Sequence, residues 1–301
     1  MQETVLITGG SGLVGSRLTE LLVEKGYVVR HLSRTRDLQA RTPSYQWDLN
    51  KKTWEEDAIE GVSYIIHLAG AGVADGRWTA QRKKQILNSR VFGSELVCQM
   101  VEQAKGKIKA VVSSSAVGYY GMNRGSEIAK EDSTPGNDFL ADVCVKWENS
   151  ILQCASETKV SILRTGIVLS SKGGALPKMA LPVRLWVGSP IGSGHQAMPW
   201  IHIDDLCTMY IYAMEQQLEG AYNATAPEPV ENKVFTKVLA RVLRRKTFLP
   251  NVPAFVLKLI FGEMAQVLLT GVNASSEKIT SKGFVWQFTN LESALRDIYK
   301  S

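Results

Sequence analysis

The string Gly9-Gly10-Ser11-Gly12-Leu13-Val14-Gly15 constrains this chain more than any other feature. It follows directly on a β-rich run, Thr4-Val5-Leu6-Ile7-Thr8, and opens a segment whose Val14, Leu18, Leu21 and Leu22 share one helical face until Gly26 stops it. A strand, a glycine turn and a helix in that order bring free backbone N–H groups and the positive end of a helix dipole to one point, where a phosphate can sit. Small residues let the turn close and let the backbone approach a pyrophosphate. With the spacing G-G-x-G-x-x-G, Gly9, Gly12 and Gly15 carry the pattern and Gly10 is extra. The plainer alternative is a glycine-rich turn with no ligand.

The end of the second strand bears on which dinucleotide would be held. An acidic residue about twenty positions past the glycines suits the free ribose hydroxyls of NAD. Here the segment reads Leu32-Ser33-Arg34-Thr35-Arg36, with no carboxylate before Asp37. Arg34, with Ser33 and Arg36 nearby, suits a 2′-phosphate through charge-assisted hydrogen bonds. NADP(H) is therefore expected over NAD(H), the alternative being two solvated loop arginines.

Residues 1–169 alternate short β runs (27–33, 45–48, 63–68, 110–113 and 160–169) with helical patterns at 13–25, 80–105 and 139–156. That rhythm predicts an α/β doubly wound parallel sheet, a Rossmann fold. Past Leu169 glycines and prolines multiply, a helix is expected over 204–216 with Asp204 as its N-cap, and residues 223–229 read as extended. Residues 170–301 are expected to form a smaller, mostly helical substrate cap, with return segments near 204–226 interleaving the boundary.

Composition narrows the function classes. Of 301 residues 45% are hydrophobic and 21% charged, which suits a large core and excludes disordered or collagen-like chains. The longest apolar stretch, residues 252–269, is interrupted by Lys258 and Glu263, so no membrane span is expected. With a β run at the start, no leader is expected, and a cytoplasmic setting is the expectation. Cys98, Cys144, Cys154 and Cys207 show no CxxC spacing and read as reduced thiols, with no metal site expected. Net charge is +6, with clusters at Arg82-Lys83-Lys84 and Arg244-Arg245-Lys246 that read as solvated faces. No nucleic acid is expected, since no binding module accompanies them.

Several strings resemble the extended short-chain dehydrogenases/reductases, the superfamily of nucleotide-sugar epimerases. They are Thr8 to Gly15, His67-Leu68-Ala69-Gly70, Asp48-Leu49, and Ser113-Ser114-Ser115-Ala116-Val117-Gly118-Tyr119-Tyr120-Gly121. Further strings resemble one atypical branch, an NAD(P)-dependent epimerase family with a short C-terminal domain of its own. These are Asn88-Ser89-Arg90, Lys146-Trp147-Glu148, Arg164-Thr165-Gly166, Pro190-Ile191-Gly192-Ser193-Gly194-His195-Gln196 and Pro199-Trp200-Ile201-His202-Ile203-Asp204-Asp205. The resemblance implies a cofactor site of Gly9, Gly12, Leu13, Val14, Gly15, Ser33, Arg34, Asp48, Leu49, Leu68, Ala69, Gly70 and Arg90. It also implies hydride transfer, with Ser115 holding a substrate oxygen.

One part of the family pattern is missing. Anchored on Glu148, the usual Tyr-x-x-x-Lys would fall on Leu140 and Cys144, and Lys146 has Asp142 four residues back. Tyr119 or Tyr120 could supply a phenol from another direction, or pack in the core. Asp142, His195 and Lys172 are further candidates for proton transfer. Cys144 shows no partner that would activate it. Arg90 stands where relatives carry a neutral Asn, either in a structural salt bridge or on a cofactor phosphate.

Trp186, His195 and Trp200 are expected at the substrate lip. With Lys172, Lys178 and Arg184 they suit a small anionic or ring-bearing substrate such as a nucleotide-sugar or a quinone. Phe255, Leu259, Phe261, Val267 and Leu268 read as helices packing on the sheet, or as a homodimer contact. Two functions remain open: an NADP(H)-dependent oxidoreductase or epimerase-like enzyme, and a non-catalytic NADP(H)-binding sensor or scaffold.

Overall fold

A run apolar at every position needs cover on both faces, and β1 (Thr4–Thr8) is buried along its whole length inside an eight-stranded sheet. The computed structural model describes residues 2–121 and 127–300. After β1 come α1 (Leu13–Glu24), β2 (Val28–Ser33), β3 (Ser44–Asp48), β4 (Thr53–Trp54), β5 (Val62–His67), α2 (Ala80–Gln103) and β6 (Ala110–Ala116). The chain continues through β7 (Ile128–Ala129), α3 (Phe139–Ile151), β8 (Lys159–Thr165), β9 (Ile167–Leu169), α4 (Leu176–Arg184), β10 (Trp200–His202), α5 (Ile203–Glu215) and β11 (Gly220–Ala224). Last are α6 (Asn232–Val242), α7 (Ala254–Phe261), α8 (Ala265–Leu269), β12 (Asn273–Ala274), α9 (Glu277–Ser281) and α10 (Leu291–Tyr299).

The main sheet runs β11-β8-β6-β5-β1-β2-β3-β4. It is parallel except where β3 meets β4. This is the doubly wound Rossmann arrangement, with order reversing between β1 and β5. On one face α1 packs against α5, and Leu18 and Leu22 are buried with Leu206 and Met209. On the other, α2 packs against α3, burying Leu96, Val97 and Ile151. Each such side chain contributes roughly 1.5–3 kcal/mol by leaving water. A third cluster joins α4, α6 and α10 through Val183, Phe235 and Leu295.

The structure redraws several expected elements. The run at 160–169 is two strands, because the Pro199 carbonyl accepts the Ile167 N–H and turns β9 away to pair with β10. The pattern at 139–156 is α-helical only to Ile151 and closes in a tighter turn over Leu152–Ser156. Asp204 is not the N-cap: the helix begins one residue earlier, and the His202 ring accepts the Asp204 N–H. Residues 203–224 supply α5 and the edge strand β11 to the main sheet. Among the described residues no helix is long and apolar enough to cross a membrane.

Candidate active site

Ligands of such sheets sit where strand order reverses, at the carboxyl ends of the strands. Here those ends are the Gly9–Gly15 turn and the segment Leu68, Ala69 and Gly70. Gly9 has φ +73°, and a Cβ on it would lie 3.1 Å from the Ala69 backbone. A Cβ on Gly15 would fall 2.4 Å from the Gly9 carbonyl oxygen. Gly10, read as extra, is also required, since its Cβ would meet the His31 ring at 2.3 Å. Thr8 Oγ1 accepts the N–H groups of Leu68 and Ala69, each at 3.1 Å, and lies 2.7 Å from His67 Nδ1. Its own proton therefore goes to His67, whose burial holds the ring down to about 3 and keeps it neutral. Gly12 caps α1 in extended conformation, so the first N–H groups, those of Leu13 and Val14, have no intrahelical acceptor.

The two arginines after β2 differ. Arg36 is spent on Glu55 at 3.1 Å, whereas exposed Arg34 has no ion pair among the described residues. The Ser33 hydroxyl turns back on Thr35. Asp48 Oδ1 accepts the Asn50 and Lys51 N–H groups at 2.9 and 3.1 Å, and Leu49 packs against the core. Arg90 makes no salt bridge among the described residues. Its Nη1 donates to the carbonyls of Ala71 and Ile86 at 2.9 and 3.0 Å, and its guanidinium lies 4.9 Å over the Trp147 ring. Burial without a counter-charge pulls its pKa down.

The second half of the site is a side-chain network. Ser115, at the end of β6, donates to Glu148 Oε1 at 2.6 Å. Arg164 on β8 grips the same carboxylate twice, Nε to Oε1 at 2.9 Å and Nη2 to Oε2 at 2.8 Å. This pair is almost fully buried, with side chains 4% and 7% exposed. Arg164 also donates to the Tyr120 hydroxyl at 3.0 Å and lies 3.5 Å from the centre of the Tyr119 ring. Sequence reading noted each string but not this pairing, which joins residues from three elements.

Three expectations are corrected. Tyr120 is buried, and its hydroxyl donates to Asn223 Oδ1 at 2.6 Å while accepting from Arg164, so it holds β8 and β11 rather than facing a substrate. Trp200 lies in the third core cluster at 1% exposure and cannot reach a substrate lip. Asp142 is an exposed helix-surface group paired with Lys146 at 2.8 Å. Tyr119 is half-buried, and its hydroxyl has no partner among the described residues. Leu140 and Cys144 both lie close to Gly118, within 3.5 and 3.9 Å of where its Cβ would be. Burial raises the Cys144 thiol to about 11, so it is not a thiolate at neutral pH.

Trp186 and His195 are exposed and engaged within the C-terminal region, Trp186 under Arg245 and His195 on Glu231 at 2.9 Å. Arg17 holds Asp204 at 2.7 Å, and Asp205 accepts the backbone N–H groups of Gln287 and Phe288. Both aspartates therefore fix helix α5 in place. A groove of about 440 Å³ opens beside the glycine turn, lined by Ser11, Gly12, Arg17 and Lys172.

A family model for the NAD dependent epimerase/dehydratase family matches residues 5–225, so most of the sheet and both halves of the site fall within it. The chain belongs to that family. A second model, a domain of unknown function (DUF1731), matches residues 252–298. Among curated relatives, the epimerase family protein YfhF of Bacillus subtilis is 35% identical over 98% of this chain and 97% of its own length. The human epimerase family protein SDR39U1 is 33% identical over 98% of this chain and 99% of its own. A crystal structure of human SDR39U1 (isoform 2) with NADPH superimposes with a TM-score of 0.90 at 31% identity, covering 99% of both chains. The UDP-glucose 4-epimerase of Thermotoga maritima, solved with UDP-glucose, shares the fold, with a TM-score of 0.75 at 18% identity over 99% of this chain and 98% of its own. This epimerase-family chain thus keeps the NAD(P)-binding Rossmann frame while departing from the Tyr-x-x-x-Lys pattern.

Proposed function

We propose that this protein is an NADP(H)-dependent oxidoreductase or epimerase-like enzyme acting on a small carbonyl or hydroxyl substrate. The observation that carries this reading is Ser115, held by a buried ion pair at the strand end next to the nucleotide cradle. The turn suits a dinucleotide: Gly9 and Gly15 lie too close to neighbouring backbone to carry a Cβ, the Leu13 and Val14 N–H groups have no intrahelical acceptor, and Arg34, without an ion pair among the described residues, suits a 2′-phosphate. NADPH in the human relative supports the same choice. When bound, the nicotinamide supplies or accepts hydride.

The chain's own groups then have separable tasks. Because the Ser115 proton is committed to Glu148, Ser115 Oγ presents lone pairs and accepts from a substrate hydroxyl. Tyr119, stacked on Arg164 and with no hydroxyl partner among the described residues, is the phenol proposed to exchange a proton with the substrate oxygen. Arg90 braces the Ala71 carbonyl that follows the cofactor segment. Nucleotide-sugars, one of which accompanies the Thermotoga enzyme, head the list of candidate substrates.

NADPH oxidation across a panel of carbonyl compounds, including quinones and nucleotide keto-sugars, tests the reading. The expected result is turnover with one class, reduced about 100-fold or more in Ser115→Ala and in Tyr119→Phe. Absence of turnover with every class, with both variants behaving as the native chain, would remove it.

One observation favours a second reading. Leu140 and Cys144 offer no phenol or ammonium where relatives of ordinary pattern carry them. A sensor that binds NADP(H) without chemistry would then present different surfaces with and without nucleotide. Identical partner capture by the apo, NADP⁺ and NADPH forms would discard it.

A further inference from the structure

Two of the four cysteines meet across the seam between α2 and the turn that follows α3. Cys98 Sγ lies 3.4 Å from the Ser150 carbonyl oxygen and 3.5 Å from that of Ile151. Cys154 Sγ lies 3.0 Å from the same Ile151 oxygen. The two thiols thus sit side by side on one acceptor, although 56 residues separate them and they come from different elements. Cys154 is buried in the core beneath α2, while Cys98 is half-buried.

We propose that Cys98 and Cys154 form a peroxide-responsive dithiol, a site of reversible oxidation that closes into a disulfide bridging α2 and the Leu152–Ser156 turn. The thiols are unequal in a way that orders the steps. The hydrogen-bonding contact between the two sulfurs holds Cys98 below its ordinary range and, together with burial, pushes Cys154 far up. Cys144 and Cys207 are both raised by burial, so Cys98 is the one cysteine favoured as a thiolate.

The chemistry balances with a hydroperoxide as oxidant. The Cys98 thiolate attacks the terminal peroxide oxygen, the O–O bond breaks, and the departing oxygen leaves as water or an alcohol after taking a proton. The Cys154 sulfur then attacks the Cys98 sulfenic sulfur. The S–S bond forms, the S–O bond breaks, and the Cys154 proton leaves with hydroxide as water. Two thiols lose two electrons in total, and the peroxide gains them. The new bond would lock together the two helices that carry Arg90 and Glu148, one on each side of the seam.

The test uses the full-length folded protein, hydrogen peroxide and mass spectrometry. Trypsin separates the cysteines, with Cys98 alone in peptide 91–105 and Cys154 alone in peptide 147–159. The expected result is an intact mass lower by two hydrogen atoms, peptide 91–105 joined to 147–159, and full reversal by dithiothreitol. Cys98→Ser should abolish the link, and Cys154→Ser should stop at a Cys98 sulfenic acid that dimedone traps. Should either variant fold poorly, the native chain alone decides through its peptide map. Unchanged alkylation of both peptides after peroxide, or oxidation of Cys144 or Cys207 in their place, would overturn the proposal.

Discussion

The two halves of the site are built from different materials. The nucleotide cradle is backbone: a left-handed glycine, two more glycines that exclude any Cβ, and the open end of α1. The proposed chemical half is side chains, Ser115, Glu148, Arg164 and Tyr119, gathered from β6, α3, β8 and the turn after β6. A backbone device is written in contiguous spacing and tolerates almost no change. A side-chain device is assembled across the sheet from residues far apart in sequence, so its parts can vary separately while the frame persists.

That contrast can be broken at several points. The largest effect should come from the buried ion pair. Glu148→Ala strands the Arg164 guanidinium in the core and should cost about 3–5 kcal/mol. Urea unfolding of Glu148→Ala, Arg164→Ala and the double variant measures it, and the double variant should lose much less than the two singles combined. Strict additivity would mean that the pair is not coupled.

Next, Gly15→Ala should cost about 1–3 kcal/mol of stability through overpacking. The same change should abolish nucleotide binding, because its Cβ forces the Gly9 carbonyl out of the turn. A variant that binds NADPH normally would show that the cradle is looser than its contacts imply.

A pH dependence separates the halves further. His67 braces the Thr8 end of the cradle as a neutral ring, with a folded value of about 3 against 6.5 for the free side chain. The unfolded chain therefore binds the extra proton first as pH falls. The stabilisation is whole above about pH 6.5 and is lost progressively toward pH 3. His31 and His202 are lowered by burial in the same direction. Urea midpoints should fall between pH 7 and pH 4.5, and a flat profile would contradict the neutral His67.

The same difference explains what could be read from the chain. Gly9, Gly12 and Gly15 were legible because strand, turn and helix are consecutive. Gly10 was undervalued because its constraint is the His31 ring, from the neighbouring strand. Tyr120 and Trp200 invited a surface role because aromatic residues suit either place. Their burial depends on Asn223, Arg164 and the α6–α10 layer, far away in sequence. Arg34 leads as the phosphate partner by its place after β2, and what sets it apart from Arg36 is Glu55, nineteen positions beyond Arg36. Glu148 was useful only as an alignment anchor, since nothing local pairs it with Ser115 and Arg164.

The most direct test of the central claim is a fluorescence titration of NADPH and NADH into the native chain and Arg34→Ala. The expected result is tighter binding of NADPH, with a loss of about tenfold or more on removing Arg34 and little change for NADH, as a single charge-assisted contact to a phosphate implies. Equal affinity for the two nucleotides, or an Arg34→Ala variant that keeps its preference for NADPH, would contradict it.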